Sequence, residues 1–131
     1  LEAVIKLLRA GCPWDKKQTP ITLKKYLLEE ANELAQAIDS QDTEHICEEI
    51  GDLYFLLGIL SEIFAEQGEF TVEDALESIC TKMIRRHPHV FTNSCSNPED
   101  LDEEELRQQW ERIKAGEKAE KKKGERPVSP G

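Results

Sequence analysis

The sequence predicts an all-α protein folded as an antiparallel bundle of about five helices. Apolar residues recur three and four positions apart along most of the 131-residue chain, which is the spacing of one helix face. No stretch of useful length alternates apolar and polar residues as a half-buried strand would. The connections between the second, third and fourth predicted helices are short, which favours antiparallel packing of neighbouring helices.

The first predicted helix ends at Gly11, where the Gly-Cys-Pro-Trp sequence indicates a loop. Thr19 is placed to cap a second helix that has Pro20 in its first turn and ends near Ser40. Asp42 or Thr43 caps a third helix that continues to about Gln67. The expected apolar stripes of these three helices contain Val4, Ile5, Leu7 and Leu8; Leu23, Leu27, Leu34 and Ile38; and Ile46, Ile50, Leu53, Leu57, Leu60 and Phe64.

A capping box formed by Thr71 and Asp74 predicts a fourth helix that ends at Arg86. Prolines, asparagines and serines make 87–98 a predicted loop, and a fifth helix follows the acidic stretch 99–105 with Leu106, Trp110 and Ile113 on one face. From Gly116 onward the chain is charged and nearly without apolar residues, which predicts a frayed or disordered tail. We therefore expect one domain over residues 1–115 and a charged tail over 116–131.

The net charge of -10 is concentrated in one region of the chain. Nine acidic residues and no Lys or Arg lie between Glu29 and Asp52. The acidity argues against a partner that is duplex nucleic acid, since such binding needs a basic face. The longest apolar run, Leu53–Leu60, is far shorter than the roughly 20 residues of a membrane-spanning helix, so no membrane partner is expected.

Carboxylates interrupt the apolar stripes of the second and third helices. Glu30 falls within the stripe and Glu33 lies three residues on, while Glu49 and Asp52 have the same spacing on the next helix. Four carboxylates in one seam repel each other unless a cation neutralises them. All-oxygen ligation suits Mg²⁺, with Mn²⁺ also possible. The alternative is a solvated acidic face, although surface helices normally interleave charges of both signs.

Basic and aromatic residues form further candidate sites. Lys82, Arg85 and Arg86 end the fourth helix, where cations either bind an anion or only balance the helix dipole. Trp110 and Lys114 share a face of the fifth helix. Trp14, in its loop, either stacks on a base or closes the end of the bundle.

Together these segments resemble a known family, the MazG nucleoside triphosphate pyrophosphohydrolases. The resemblance rests on ordered motifs across residues 1–114, of which one E-x-x-D alone would be weak. They are Cys12-Pro13-Trp14-Asp15, Lys17-Gln18-Thr19, Tyr26-Leu27-Leu28-Glu29-Glu30-Ala31-Asn32-Glu33, Glu48-Glu49-Ile50-Gly51-Asp52-Leu53, Arg85-Arg86-His87-Pro88-His89-Val90-Phe91 and Trp110-Glu111-Arg112-Ile113-Lys114.

The resemblance implies an all-α, usually dimeric enzyme that hydrolyses nucleoside triphosphates to the monophosphate and pyrophosphate with Mg²⁺. It implies metal ligation by Glu30, Glu33, Glu49 and Asp52, with Glu29 close to the site. Phosphate binding falls to Lys82 and Arg86, and substrate contacts to Trp110 and Lys114. Glu29 or a ligand carboxylate such as Glu30 then orients or deprotonates the attacking water. Many family members carry two such domains, so whether this chain is part of a longer protein stays open.

Other interpretations remain at this point. The enzyme could be restricted to one deoxynucleotide or to a damaged base, or the chain could be a catalytically silent module that senses nucleotides or joins helices with a partner. The third helix is apolar on several faces, with Tyr54 and Phe55 beside its stripe, which favours a homodimer unless one protomer buries them. Four dispersed cysteines and no visible signal peptide favour a reduced, cytoplasmic protein, although the chain begins at Leu1 and a lost targeting segment stays open.

Overall fold

The computed structural model of the protein describes residues 1–92 and 98–124. Within these residues it contains helices and no strand, which confirms the predicted all-α fold. A 3-10 turn over Pro98–Asp100 precedes the last helix. The helices are α1 (Glu2–Gly11), α2 (Pro13–Lys17), α3 (Pro20–Ser40), α4 (Thr43–Glu66), α5 (Val72–Arg86), α6 (Pro88–Phe91) and α7 (Glu103–Gly124).

The chain divides into two compact units, Leu1–Ala75 and Leu76–Gly131. The first unit contains α1 to α4 and the first turn of α5. The described part of the second unit contains the rest of α5, then α6 and α7.

Local capping sets the ends of α3 and α4. The side chains and backbone amides of Thr19 and Thr22 satisfy each other in a capping box at the start of α3. Gln41 ends α3 in the left-handed conformation, with φ of 61°. The Asp42 carboxylate accepts hydrogen bonds from the amides of Glu44 and His45 at 3.1 and 3.3 Å and so caps α4. The predicted caps at Thr19 and Asp42 are therefore confirmed.

The two-residue connection makes α3 and α4 an antiparallel hairpin, and these helices form the main contact of the first unit. Residues equally distant from Gln41 along the chain lie at about the same level of such a hairpin. Leu23 and Ile59 are one such pair, and both are fully buried. Glu30 and Asp52 are another pair, which places carboxylates from both helices at one level.

The core of the first unit uses a different face of α4 from the one that periodicity predicted. Ile50 and Leu57, both assigned to the buried stripe, are 43% and 47% exposed. On α4 the buried apolar residues are instead Leu56, Ile59 and Ile63, which join Ile5 and Leu23 in one cluster. Because α4 is apolar around much of its circumference, spacing alone could not choose which face α3 and α1 would cover.

Short helices occupy both segments that the sequence analysis expected to be loops. The Cys-Pro-Trp segment forms α2, whose C-terminal carbonyls accept hydrogen bonds from the Arg9 guanidinium. The Pro88–Phe91 segment forms α6, so the predicted loop is helical at its start. In both cases proline occupies the first helical position, where its missing amide hydrogen has no intrahelical partner to lose.

The last helix is longer than predicted. The sequence analysis expected fraying from Gly116, but α7 continues to Gly124. Lys, Glu and Ala residues dominate this extension, and their high helix propensity sustains a helix without an apolar face. Residues 93–97, which include Cys95, and residues 125–131 of the predicted tail lie outside the described residues.

The described helices include none with the length and apolar character needed to cross a membrane.

Candidate active site

Carboxylates from α3 and α4 converge in the first unit. Glu30, Glu49 and Asp52 each offer an oxygen, and the three oxygens lie within 4.8 Å of one another. Glu30 projects from α3, while Glu49 and Asp52 lie one turn apart on α4. The antiparallel hairpin brings these carboxylates together from sequence positions that are about twenty residues apart. Three of the four predicted metal ligands thus form one cluster.

Glu33 and Glu29 are not members of this three-oxygen cluster. Both side chains are exposed on α3, on either side of Glu30. Three residues along a helix turn the side-chain direction by about 60°, so Glu33 lies toward the rim of the face that Glu30 occupies. Glu33 is still close enough for its negative charge to raise the pKa of Glu30.

Two oxygens of the cluster are buried without a hydrogen-bond partner among the described residues: Glu30 Oε2 and Glu49 Oε2. The pKa of Glu30 is raised to about 7, first by burial, then by a hydrogen bond with Glu49, and further by the charges of Glu33, Asp52 and Glu49. Ionised carboxylates have no hydrogen to donate, so the hydrogen bond forms only when Glu30 is protonated. A proton on Glu30 therefore partly relieves the repulsion among these groups.

His45 contacts the cluster from one turn earlier on α4. Its Nε2 atom lies 3.1 Å from Glu49 Oε1. Because a carboxylate only accepts hydrogen bonds, the histidine Nε2–H is the donor. This bond holds one oxygen of Glu49 and leaves the other as the buried unpaired atom.

The donor set fits a hard divalent cation. Oxygen ligands from carboxylates are those that Mg²⁺ and Mn²⁺ prefer, and no cysteine lies in the cluster. Buried carboxylate oxygens without a donor need either a proton or a cation. The residues that would hold the ion are Glu30, Glu49 and Asp52.

Trp14 lies on α2 in the same unit. Its ring makes an edge-to-face contact with Tyr26, at 5.6 Å between ring centroids, and remains 44% exposed. Tyr26 precedes Glu30 by one turn of α3, so Trp14 is held near the level of the carboxylate cluster. The structure thus packs one edge of the indole against Tyr26 and leaves the rest of the ring exposed.

The second unit gathers the predicted cations. Lys82, Arg85 and Arg86 on α5 and Lys114 on α7 line one groove of about 600 Å³. Glu117 also lines this groove and pairs with both arginines. The described part of this unit therefore brings four sequence-predicted substrate residues together, and two carboxylates, Glu117 and Glu120, line the groove with them.

Trp110 neighbours this groove on α7. The Lys114 ammonium lies 4.4 Å from the indole centroid and the Arg86 guanidinium lies 5.9 Å from it, both at cation–π range. Trp110 is 41% exposed and lines a cavity of about 340 Å³. This cavity is also lined by Met83, Arg86, His87, His89, Leu106 and Arg107. The predicted residues Arg86 and Lys114 thus both contact the ring of the predicted residue Trp110.

A sequence model of the MazG nucleotide pyrophosphohydrolase domain matches residues 18–91. The chain belongs to the MazG nucleotide pyrophosphohydrolase domain family. The match covers α3 to α6 and so contains the carboxylate cluster and the three cations on α5. Trp110 and Lys114 follow the matched segment, as does the whole of α7.

Several curated proteins are similar in sequence to this MazG domain. The chain is 42% identical over 124 residues to the nucleoside triphosphate pyrophosphohydrolase/pyrophosphatase MazG of Thermotoga maritima, and the match covers 93% of this chain and 46% of that protein. It is 40% identical over 111 residues to the nucleoside triphosphate pyrophosphohydrolase of Escherichia coli K12, covering 85% and 41%. It is 44% identical over 118 residues to the uncharacterized protein YabN of Bacillus subtilis, covering 88% and 23%. The chain therefore spans less than half of each of these relatives.

The fold also matches a solved structure. The crystal structure of a mazG-related protein from Thermotoga maritima superposes with a TM-score of 0.72 at 26% sequence identity. The match covers 86% of this chain and 95% of that one. The helical architecture of this MazG domain is thus that of its family.

Sequence reasoning did not identify two residues that the structure places at these sites. His45 could have been found from its spacing, since it precedes Glu49 by one helical turn. Glu117 could not, because it is separated from Arg86 by 31 positions and lies in the segment expected to be disordered. Only the packing of α7 beside α5 brings that carboxylate to the arginines.

Proposed function

We propose that this chain is a Mg²⁺-dependent nucleoside triphosphate pyrophosphohydrolase. It would hydrolyse the α–β phosphate bond of ribo- or deoxyribonucleoside triphosphates to give the monophosphate and pyrophosphate, and so remove unwanted nucleotides from the cellular pool. The observation that carries the proposal is the convergence of Glu30, Glu49 and Asp52 with two buried, unpaired oxygens. Membership of the MazG family and relatives named as pyrophosphohydrolases support it.

Glu30, Glu33, Glu49 and Asp52 are proposed to hold the cation. When bound, a divalent cation supplies neutralising charge to phosphate oxygens and lowers the pKa of water. Mn²⁺ has the same oxygen preference and is expected to replace Mg²⁺. His45 would keep Glu49 oriented by holding its other oxygen.

The proposed hydrolysis is an in-line attack of water on the α-phosphorus, with pyrophosphate leaving. A carboxylate removes the proton from that water, and Glu30, which belongs to the carboxylate cluster, is one candidate for this role. Glu29, exposed beside it, is the alternative base. Which of the two acts follows from the pH dependence of each glutamine variant.

Cations and aromatic rings are proposed to bind the rest of the substrate. Lys82, Arg85, Arg86 and Lys114 would offset the charge on the phosphates, since arginine and lysine both bind phosphate oxygens. Trp14 and Trp110 would offer their exposed ring surfaces to the nucleoside.

A homodimer is proposed from the faces that the first unit leaves exposed. Ile50, Tyr54 and Leu57 recur at helical spacing on α4 with exposures of 43%, 62% and 47%. A second copy of the chain would cover this stripe. Sedimentation at micromolar concentration tests the proposal, and a monomer at all concentrations would contradict it. A cytoplasmic location stays a prediction that accompanies this function.

The decisive experiment incubates the protein with each common ribo- and deoxyribonucleoside triphosphate, with and without Mg²⁺, and assays pyrophosphate and orthophosphate separately. The proposal expects pyrophosphate and the monophosphate as primary products, only with a divalent cation. Orthophosphate as the primary product would indicate a different phosphohydrolase. No turnover of any triphosphate, together with measurable nucleotide binding, would favour the silent nucleotide-sensing module.

A further inference from the structure

Glu117 forms ion pairs with Arg85 and Arg86, the two arginines at the end of α5. Arg85 Nε donates to Glu117 Oε1 at 2.9 Å. Arg86 donates through Nε at 3.2 Å to the same oxygen and through Nη2 at 3.0 Å to Oε2. The Arg86 and Glu117 side chains are only 17% and 21% exposed. One carboxylate thus takes hydrogen bonds from both guanidinium groups at a partly buried position.

These bonds use the donors that a phosphate group would need. An arginine fork binds carboxylate and phosphate in the same planar, two-pronged geometry. A phosphate could therefore reach the Nε and Nη2 edge of Arg86 only after Glu117 has left it. Pairing with Arg86 and then with Arg85 lowers the pKa of Glu117 to about 2, so the carboxylate is ionised at neutral pH.

The groove around this contact favours an anion of higher charge. Six cations line it: Lys82, Arg85, Arg86, Lys114, Lys118 and Lys121. Two carboxylates, Glu117 and Glu120, oppose them, and Glu120 is exposed with no ion pair to the arginines in the described part of the chain. One internal carboxylate therefore neutralises only part of the charge that the groove presents.

We propose that Glu117 is an affinity-determining residue that competes with the phosphate groups of the substrate for Arg85 and Arg86. The inference rests on the proposed function, in which these arginines bind a polyphosphate. With Glu117 engaged, the groove does not admit phosphate to the arginine fork. The polyphosphate must displace the carboxylate from both guanidinium groups.

The competition has a defined thermodynamic form. The apparent dissociation constant equals the intrinsic constant divided by the fraction of molecules in which the arginines are free. The affinity of every ligand that binds the arginine fork is lowered by the same factor, whereas the affinity of a nucleoside without phosphate is unchanged. Glu117 therefore lowers the affinity for any ligand whose phosphate groups bind Arg85 and Arg86.

The opposite role for Glu117 makes an opposite prediction. If the carboxylate orients Arg86 for phosphate binding, its removal would weaken binding instead of strengthening it. The sign of the change in affinity thus separates a competitor from a positioning residue.

The test uses inorganic tripolyphosphate as the probe, with the full chain and without Mg²⁺, in titration calorimetry. We expect Glu117→Gln to lower the dissociation constant at least about fivefold, a typical coupling between two ligands of one site. Glu120→Gln removes the same charge from the same groove without touching the arginines, and we expect less than about a twofold change. Glu117→Asp keeps the charge on a shorter side chain and should give an intermediate value. Circular dichroism establishes that each variant retains its helices.

Weaker or unchanged tripolyphosphate binding by Glu117→Gln would overturn the inference, and so would an equal gain in Glu120→Gln. Absence of tripolyphosphate binding in every variant would overturn it as well. The proposed function fails independently: tighter binding by Glu117→Gln in a protein that releases no pyrophosphate would support the competition and contradict the enzyme activity. If the enzyme is active and Glu117→Gln changes neither its KM nor its affinity for tripolyphosphate, the competition would be contradicted while the proposed activity would stand.

Discussion

Arg9 and Glu66 join the C-terminal ends of α1 and α4 through a two-pronged ion pair. Arg9 Nε lies 3.0 Å from Glu66 Oε1, and Nη2 lies 2.6 Å from Oε2. The remaining Nη1 donates to the carbonyls of Asp15, Lys16 and Gln18 at 2.6, 3.2 and 3.1 Å. One guanidinium therefore ties α1, α4 and the end of α2 together, and α2 carries Trp14.

Replacement of Arg9 is expected to destabilise the fold. Arg9→Ala should lower the free energy of unfolding by about 2 to 3 kcal/mol, because it leaves part-buried carbonyls without a donor and removes charge-assisted bonds. Lys6→Ala is the matched control, since the pair that Lys6 forms with Glu2 on the same helix is exposed and its loss should cost less than about 1 kcal/mol. Urea unfolding measures both values, and equal losses would contradict the special role of Arg9.

Replacement of two glycines of α4 by alanine should change the stability of the fold in opposite directions. A Cβ at Gly58 would overlap the Cδ1 atom of buried Ile5, so Gly58→Ala should cost about 1 to 3 kcal/mol of stability. Gly51 has nothing within 4 Å of such a Cβ, so Gly51→Ala should raise stability by about 0.5 to 1 kcal/mol through helix propensity. Thermal unfolding compares them. A stabilising Gly58→Ala would mean that α1 does not pack closely against α4.

The carboxylate cluster should be required for activity and dispensable for folding. Glu49→Gln and Asp52→Asn are each expected to reduce Mg²⁺-dependent pyrophosphate release by at least about 100-fold, because each removes charge that holds the cation. Helix content by circular dichroism should not change. Glu48→Gln, exposed on the same helix, serves as control and should keep its activity. Full activity in either cluster variant would contradict the proposed metal ligation.

Stability without metal should depend on pH through Glu30. Its carboxyl has an ordinary pKa of 4.5 and a folded-state pKa of about 7, so between these values the folded protein holds a proton that the unfolded chain has lost. This contribution is fully present below pH 4.5 and is lost as pH rises through 7. We measure the free energy of unfolding in the presence of a metal chelator. Between pH 5 and pH 8 it should fall less for Glu30→Gln than for the wild type.

Added Mg²⁺ should reverse the wild-type loss at pH 8, because a cation that binds only the folded state stabilises it. Glu48→Gln is again the control and should follow the wild-type pH curve. Identical pH curves for Glu30→Gln and the wild type would contradict the raised pKa of Glu30.

The cations of α5 should act on substrate binding more than on the fold. Lys82→Ala and Arg86→Ala are each expected to raise KM for the triphosphate about tenfold or more, as loss of one charge-assisted bond to phosphate would. Lys118→Ala removes a charge from the same groove and should have a smaller effect, because Lys118 is exposed whereas Lys82 and Arg86 are half-buried. An unchanged KM would return the affected residue to the simpler role of balancing the α5 dipole.

Much of this domain could be read from local signals. The Thr19 and Asp42 caps and the short link at Gln41 determined that α3 and α4 form a hairpin. The i,i+3 spacing of Glu49 and Asp52 then placed them on one side of α4. Since both signals act within a few residues of chain, they are visible without knowledge of the fold.

Tertiary packing decided the rest. The sequence by itself predicted the long helices α3, α4 and α5 and which carboxylates could converge. It did not choose the buried face of α4, which is apolar on several faces; only contact with α1 and α3 decided that Leu56, Ile59 and Ile63 would be buried. Likewise, the raised pKa of Glu30 and the unpaired oxygen of Glu49 exist only because two helices desolvate one seam. The pairing of Glu117 with Arg86 spans 31 positions, and no local pattern specifies a contact between two helices that distant in the chain.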